Sequence, residues 1–224
     1  MIKDYSIFGE RHSGTKIITS LLQNNLKLEF TVRYGVKHWY IKSLEPRPPI
    51  NTTTDYSVEG DIHINSDNTL FIFVIRHPFT WVPAMFKRPY HMGNIDRSNI
   101  MNFIKDEALS FGKNHKKQWK FNEKGFYFIE RHDNIIDLRN KKYEHFYNLR
   151  NHVKNFEIIK YENFLQDIRR IINKYNLPLK HDNFKSVIVN YPTYNLSNEV
   201  KKHIKDNLNN EIDEIYYGIK RKRA

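Results

Sequence analysis

The chain of 224 residues contains no cysteine, so neither a disulfide framework nor a thiolate zinc site can organise it. No apolar run approaches the ~18 residues of a membrane span. The opening MIKDYSIFGE has no apolar stretch of the kind a signal peptide carries. A soluble, cytoplasmic protein is the expectation. No internal repeat and no nucleic-acid-binding motif is found, so nucleic acid is not an expected partner despite the charge.

That charge is the first thing the chain has in excess. Lys and Arg number 37 against 25 Asp and Glu, giving a formal net charge of +12 and a pI of about 9.6. The excess favours anionic partners, among them a nucleotide or a sulfated or acidic glycan. The length fits one domain with a full core, and 39% apolar with 14% aromatic residues suffices to build it.

The most informative stretch is Tyr5 to Asn25, YSIFGERHSGTKIITSLLQNN. It reads as a short strand, a loop (Gly9-Glu10-Arg11-His12-Ser13-Gly14-Thr15-Lys16), then an amphipathic helix. A strand that turns on glycines into a helix makes an anion site, because unpaired N–H groups and the helix dipole converge there. Glycine also allows close approach of the backbone to the anion. The Walker A order would put Lys and then Ser or Thr after the second glycine. Here Thr15 precedes Lys16, and Ile17 stands where the magnesium-binding hydroxyl belongs. The competing reading is an ordinary strand-to-helix turn with Ser13 or Thr15 as N-cap.

Further along, Lys27 to Val32 alternates like a strand, and Val36 to Tyr40 follows a turn at Gly35. Residues 43–69, with Pro46, Pro48 and Pro49, read as a loop-rich excursion able to cover a site. Thr69 to Ile75 (TLFIFVI) has the composition of a central strand buried on both faces. Phe79 to Phe86 follows as a helix with Pro83 in or near its first turn. Helices are also predicted over Ser98 to Lys117, Ile135 to Leu149, Glu162 to Tyr175 and, last, Asn198 to Leu208. Short strands are predicted over Phe126 to Glu130 and Phe156 to Tyr161. This alternation predicts an α/β fold of three layers, a central mainly parallel sheet flanked by helices, of the P-loop-containing nucleotide hydrolase type. One domain over 1–219 with a solvated basic tail at 220–224 is expected.

In such sheets ligands bind at the carboxyl ends of strands. A nucleotide triphosphatase would place an acid after the buried strand to hold magnesium. This chain places Arg76 there, which suggests a second phosphate bound directly by a cation. No metal is therefore expected.

Three stretches, in order, resemble the sulfotransferases that use 3′-phosphoadenosine 5′-phosphosulfate. GERHSGTK resembles their 5′-phosphosulfate loop, FIFVIRHPFTWVPAMF their 3′-phosphate strand and turn, and IIKYENFLQD their strand-to-helix junction. The likeness is greatest to capsular-polysaccharide-type bacterial and viral members, given Val36-Lys37-His38, Lys87 to His91 and Leu138-Arg139-Asn140. The resemblance implies sulfuryl transfer to a hydroxyl or amine acceptor, a saccharide among the candidates. It implies that Arg11, His12, Ser13, Gly14, Thr15 and Lys16 hold the phosphosulfate, with Lys16 close to the chemistry, and that Arg76 holds the 3′-phosphate. His38 is the candidate base, since imidazole titrates near neutrality, and Glu10 is its rival. His63, His77 and His91 are read as structural or acceptor-facing.

The chain departs from the family in three ways. His12 rather than a fixed cation precedes Ser-Gly-Thr. Ala84 stands where the family has a serine, with Ser98 as a substitute. The family's terminal Arg-Lys-Gly is absent from Lys220 to Arg223. Two other classes stay in view: a P-loop kinase or nucleotidase, and a non-catalytic polyanion-binding protein.

Overall fold

Strand β3, Thr69–Ile75, is the axis of the molecule, and its sequence explains why. All seven residues are buried. Leu70, Ile72 and Val74 enter one apolar cluster while Phe71, Phe73 and Ile75 enter another, because successive side chains of a strand point to opposite faces. Both clusters need a cover, so helices lie on both sides. The computed structural model describes residues 1–35, 37–41, 43–44, 61–93, 95–113, 126–189 and 191–220, without the side chains of 111–113 and 126–129.

Among those residues, β1 (Asp4–Phe8), β2 (Glu29–Phe30), β3 and β6 (Phe156–Lys160) form one sheet in the order β2-β1-β3-β6. Every pairing is parallel, with Tyr5 opposite Leu70 and Phe73 opposite Ile158. The expected α/β class with a central parallel sheet flanked by helices is thus present. Helix α1 (Thr15–Asn25) and helix α5 (Phe164–Tyr175) cover the aliphatic face through Ile18, Leu22, Phe164 and Ile168. Helix α4 (Ile135–Asn148) covers the aromatic face, where Tyr143 and Phe146 pack on Phe73 at ring distances of 5.2 and 5.5 Å.

A third cluster joins α2 (Pro78–Lys87), α3 (Ile100–Lys105), α4 and α6 (Asn198–Asn207) around Trp81 and Phe103. Helix α2 starts at Pro78, whose fixed φ suits a first turn, and His77 Nδ1 accepts the Phe79 N–H at 3.2 Å. Pro83 therefore lies inside the helix rather than in its first turn.

Three expectations need correction. The helix over Ser98 to Lys117 ends at Lys105, and β4 (Ala108–Lys113) pairs antiparallel with β5 (Phe126–His132); residues 114–117 lie outside the described residues. Pairing with the next strand along the chain, which was expected over Phe126 to Glu130, overrides the local helical spacing here. The helix at 198–207 is not the last, because Asn210 caps α7, Glu211–Tyr217, through the Asp213 N–H at 2.9 Å. The early strand shrinks to Glu29–Phe30. Most of the excursion at 43–69, namely 45–60, and most of the tail, 221–224, lie outside the described residues, as does Val36. No helix among the described residues is long and apolar enough to cross a membrane.

Candidate functional site

The chain leaves β1 into α1 on one face of the sheet and leaves β3 towards α4 on the other. The carboxyl ends of β1 and β3 therefore flank the point where the winding reverses, which is where open α/β sheets bind ligands. Residues 9–14 and Arg76 meet there. Gly9 lies so close to β3 that a Cβ would stand 2.7 Å from the Val74 carbonyl oxygen. Gly14 is the N-cap of α1 with φ +91°, and no side chain caps the helix, which sets aside Ser13 or Thr15 as N-cap. The first-turn N–H groups of α1 consequently lack an intrahelical acceptor. The Ser13 hydroxyl is fully buried beside them and has no hydrogen-bond partner among the described residues.

The loop is pinned from α2. Arg76 Nη1 donates to the His12 carbonyl at 2.8 Å, and Trp81 Nε1 donates to the Arg11 carbonyl at 2.7 Å. His12, held at φ +61°, places Nε2 2.6 Å from the Arg88 carbonyl. A carbonyl only accepts, so that nitrogen carries the proton. Burial, ahead of the Arg76 charge that acts in the same sense, lowers the His12 pKa. Arg76 Nε donates to the Thr80 hydroxyl at 3.1 Å, and the Tyr161 ring lies 4.5 Å from its guanidinium.

The loop's cations do not share one role. Arg11 is buried, with Nη1 on Glu10 Oε1 at 2.8 Å, Nη2 on the Ser110 hydroxyl at 2.7 Å and the Trp39 ring 4.6 Å away. It ties the loop to the β4–β5 ribbon. Glu10 is fully buried and also accepts the Arg11 N–H at 2.7 Å, so its carboxylate serves as an internal counter-ion. Lys16 is exposed, with no hydrogen bond or ion pair among the described residues. It lies close enough to half-buried Lys37 that its charge, after burial, depresses the Lys37 pKa. Two neighbouring ammonium groups suit an anion.

His38 is brought to the same loop. Gly9 donates to the Lys37 carbonyl at 2.8 Å, and His38 Nδ1 lies 2.6 Å from the Gly9 carbonyl. That contact fixes the proton on Nδ1 and leaves Nε2 with its lone pair. Burial, then the Arg11 guanidinium, pulls the His38 pKa well below the usual imidazole value, so the ring is neutral at pH 7. Below about pH 6.5 the unfolded chain takes up a proton that folded His38 refuses, and stability falls as pH falls, by at most about 1.4 kcal/mol per pH unit for one proton. His132 works in the opposite sense. Burial lowers its pKa, but Asp137 and Glu130 outweigh that and raise it, adding stability below about pH 6.5 that is lost as pH rises. Thermal melts between about pH 5 and 8 are expected to show a shallower acid-side loss in His38→Gln than in the wild type.

The sequence did not single out the groups behind this site. Lys142, fully buried on α4, donates to the His38 carbonyl at 2.8 Å and to Glu130 Oε1 at 2.5 Å. Burial would raise the Glu130 pKa, yet Lys142, with His132, holds it below the usual carboxylate value. Ala84 is a buried residue of α2. Ser98 bonds Asn102 at the start of α3 and shares no hydrogen bond with Arg76. The hydroxyl on Arg76 is that of Thr80, one helical turn along. His63, by contrast, packs its ring 5.5 Å from His152, away from the loop.

Gly14 also gives a direct test of the loop. A Cβ there would stand 2.2 Å from Tyr161 Cδ2, on a backbone with positive φ. Gly14→Ala is expected to destabilise by about 1–3 kcal/mol in urea denaturation. Measured against the Tyr161→Ala single variant, where the clash is relieved, Gly14→Ala should cost only the backbone strain of about 1–2 kcal/mol.

Compared with known proteins, the chain matches no family model, no curated protein and no solved structure.

Proposed function

We propose that the protein is a sulfotransferase that moves a sulfuryl group from 3′-phosphoadenosine 5′-phosphosulfate to a hydroxyl or amine, with a saccharide as the acceptor class to test first. One observation carries the proposal: an arginine, Arg76, ends the buried strand and bonds the glycine loop through the His12 carbonyl. A magnesium-dependent nucleotide enzyme would need an acid there. A donor with phosphate at both ends of its ribose instead needs cations at two places.

In this reading the N–H groups of the first turn of α1, Ser13, Lys16 and Lys37 hold the phosphosulfate end. Arg76 takes the 3′-phosphate. Arg11 and Glu10 keep the loop in shape instead of touching the donor, and His38 Nε2 takes the acceptor proton. The acceptor oxygen or nitrogen forms its bond to sulfur as the bond from sulfur to the 5′-phosphate oxygen breaks. Adenosine 3′,5′-bisphosphate departs with that electron pair. The cations and N–H donors stabilise the charge that builds on the bridging and sulfuryl oxygens.

Titration calorimetry of the whole chain tests the reading. Adenosine 3′,5′-bisphosphate is expected to bind without added magnesium and more tightly than adenosine 5′-monophosphate. Tight, magnesium-dependent ATP binding with no response to the bisphosphate would give the site to a kinase or nucleotidase instead. Salt-sensitive binding to any polyanion that survives mutation of the loop would assign the charge to non-catalytic binding.

A further inference from the structure

The groups around Arg76 form two chains of hydrogen bonds, and both end on α7. In the first, Arg139 Nη2 on α4 donates to the Arg76 carbonyl at 2.9 Å and to Asp213 Oδ1 at 2.5 Å. The Tyr143 hydroxyl holds the other side of the same residue, accepting the Arg76 N–H at 3.0 Å. Asp213 is itself fixed by Asn210 Nδ2 at 2.7 Å. In the second, Tyr217 donates to Glu162 Oε2 at 3.2 Å. Glu162 Oε1 accepts the His77 N–H at 2.9 Å and faces the Thr80 hydroxyl at 3.2 Å. Thr80, whose proton is shared between Glu162 and the His77 carbonyl, accepts from Arg76 Nε.

The first chain is costly. Arg139 and Asp213 are fully buried, and Arg139 Nε and Nη1 have no hydrogen-bond partner among the described residues. Buried ion pairs of this kind are seldom more stabilising than apolar side chains of the same volume. The Tyr143 ring, 3.7 Å from the Arg139 guanidinium, offsets only part of that cost. What the arrangement does secure is geometry, since the backbone of Arg76 is gripped at N–H and carbonyl and its side chain at Nε. Of its guanidinium, Nη2 alone makes no hydrogen bond to the described residues.

We infer that α7 sets the pose of the Arg76 guanidinium, with Asp213 and Tyr217 as positioning residues for the anion that Arg76 receives. The ligand named in the test rests on the sulfotransferase reading, whereas the positioning itself has a readout that needs no ligand. Tyr217→Phe is the informative variant, because it keeps the ring against His77, 4.9 Å away, and removes only the hydroxyl. Asp213→Asn is the second variant.

The first readout is the ratio of affinities for adenosine 3′,5′-bisphosphate and adenosine 5′-monophosphate, measured by calorimetry. Tyr217→Phe is expected to cut this ratio about threefold to tenfold, with the monophosphate affinity changed less than about twofold. The second is exchange of the Arg76 Nε proton with water by NMR in the ligand-free protein, expected to be faster in the variant. If Tyr217→Phe keeps both the ratio and the slow exchange of the wild type, the inference is overturned, whether or not Asp213→Asn folds. If the wild type does not discriminate between the two nucleotides, the reading of Arg76 as a 3′-phosphate receptor falls. Unchanged exchange in the variant would then overturn the positioning as well, and faster exchange would uphold it for another anion.

Discussion

Arg76→Ala is expected to weaken adenosine 3′,5′-bisphosphate binding about a hundredfold while adenosine 5′-monophosphate binding falls far less. A hydrogen bond to a charged group is worth about 1.5–3 kcal/mol, and an arginine facing a phosphate makes one or two of them. The residue also ties the loop to α2 through the His12 carbonyl and Thr80. On the sulfotransferase reading, alanine would thus remove a ligand contact and free the loop together. Arg76→Lys separates the two, because it keeps the charge and loses the planar fork. The lysine variant should recover part of the lost affinity, and little of the selectivity if the fork is what recognises the phosphate. Calorimetry on the three proteins decides it; an alanine variant that binds the bisphosphate as the wild type does would remove Arg76 from the site.

Much of this arrangement could be read from the chain because its signals are local. TLFIFVI has enough β-branched and aromatic residues to specify a central strand without help, and the structure gives it the predicted bounds of Thr69–Ile75. The glycine loop sits between a strand and a helix by the same local logic, and Arg76 follows directly from the end of β3. Of the β4–β5 ribbon, β5 was legible as the strand expected over Phe126 to Glu130, but β4 was hidden because Ser98 to Lys117 has helical spacing. Nothing in one sequence says that Ala108 will pair with His132. Helix α7 was missed for another reason. Its signals are present, with Asn210 as cap, acids at Glu211, Asp213 and Glu214, and Gly218 at the end, but seven residues are too few for a clear period.

The candidate site divides along the same line. Residues within one loop were identified together, yet their roles separate only once the fold supplies partners. Arg11 and Lys16 look alike in sequence. Ser110, 99 residues away, together with Glu10 claims the first for the interior, and the second stays in solvent. The groups behind His38 were invisible for the same reason, since Lys142 reaches its carbonyl across 104 residues of chain.

Lys142 accordingly carries the largest expected effect on stability. Its ammonium is fully buried between Glu130 Oε1 and the His38 carbonyl, with the Tyr40 ring 4.0 Å away. Lys142→Ala leaves the buried Glu130 carboxylate with His132, 3.3 Å away, as its one remaining ion-pair partner among the described residues and is expected to cost about 3–5 kcal/mol. Much of that loss is the stranded carboxylate rather than the worth of the pair. Removing both charges in Lys142→Met with Glu130→Leu should therefore restore most of the stability. Urea denaturation of Lys142→Met, Glu130→Leu and the double variant closes the cycle. If the double variant is as unstable as the sum of the singles, Lys142 and Glu130 do not act as a pair. The double variant also separates stability from positioning, since His38 would then sit in a stable protein without the ammonium on its carbonyl. On the sulfotransferase reading, turnover that falls there while donor affinity holds would place Lys142 among the groups that aim His38.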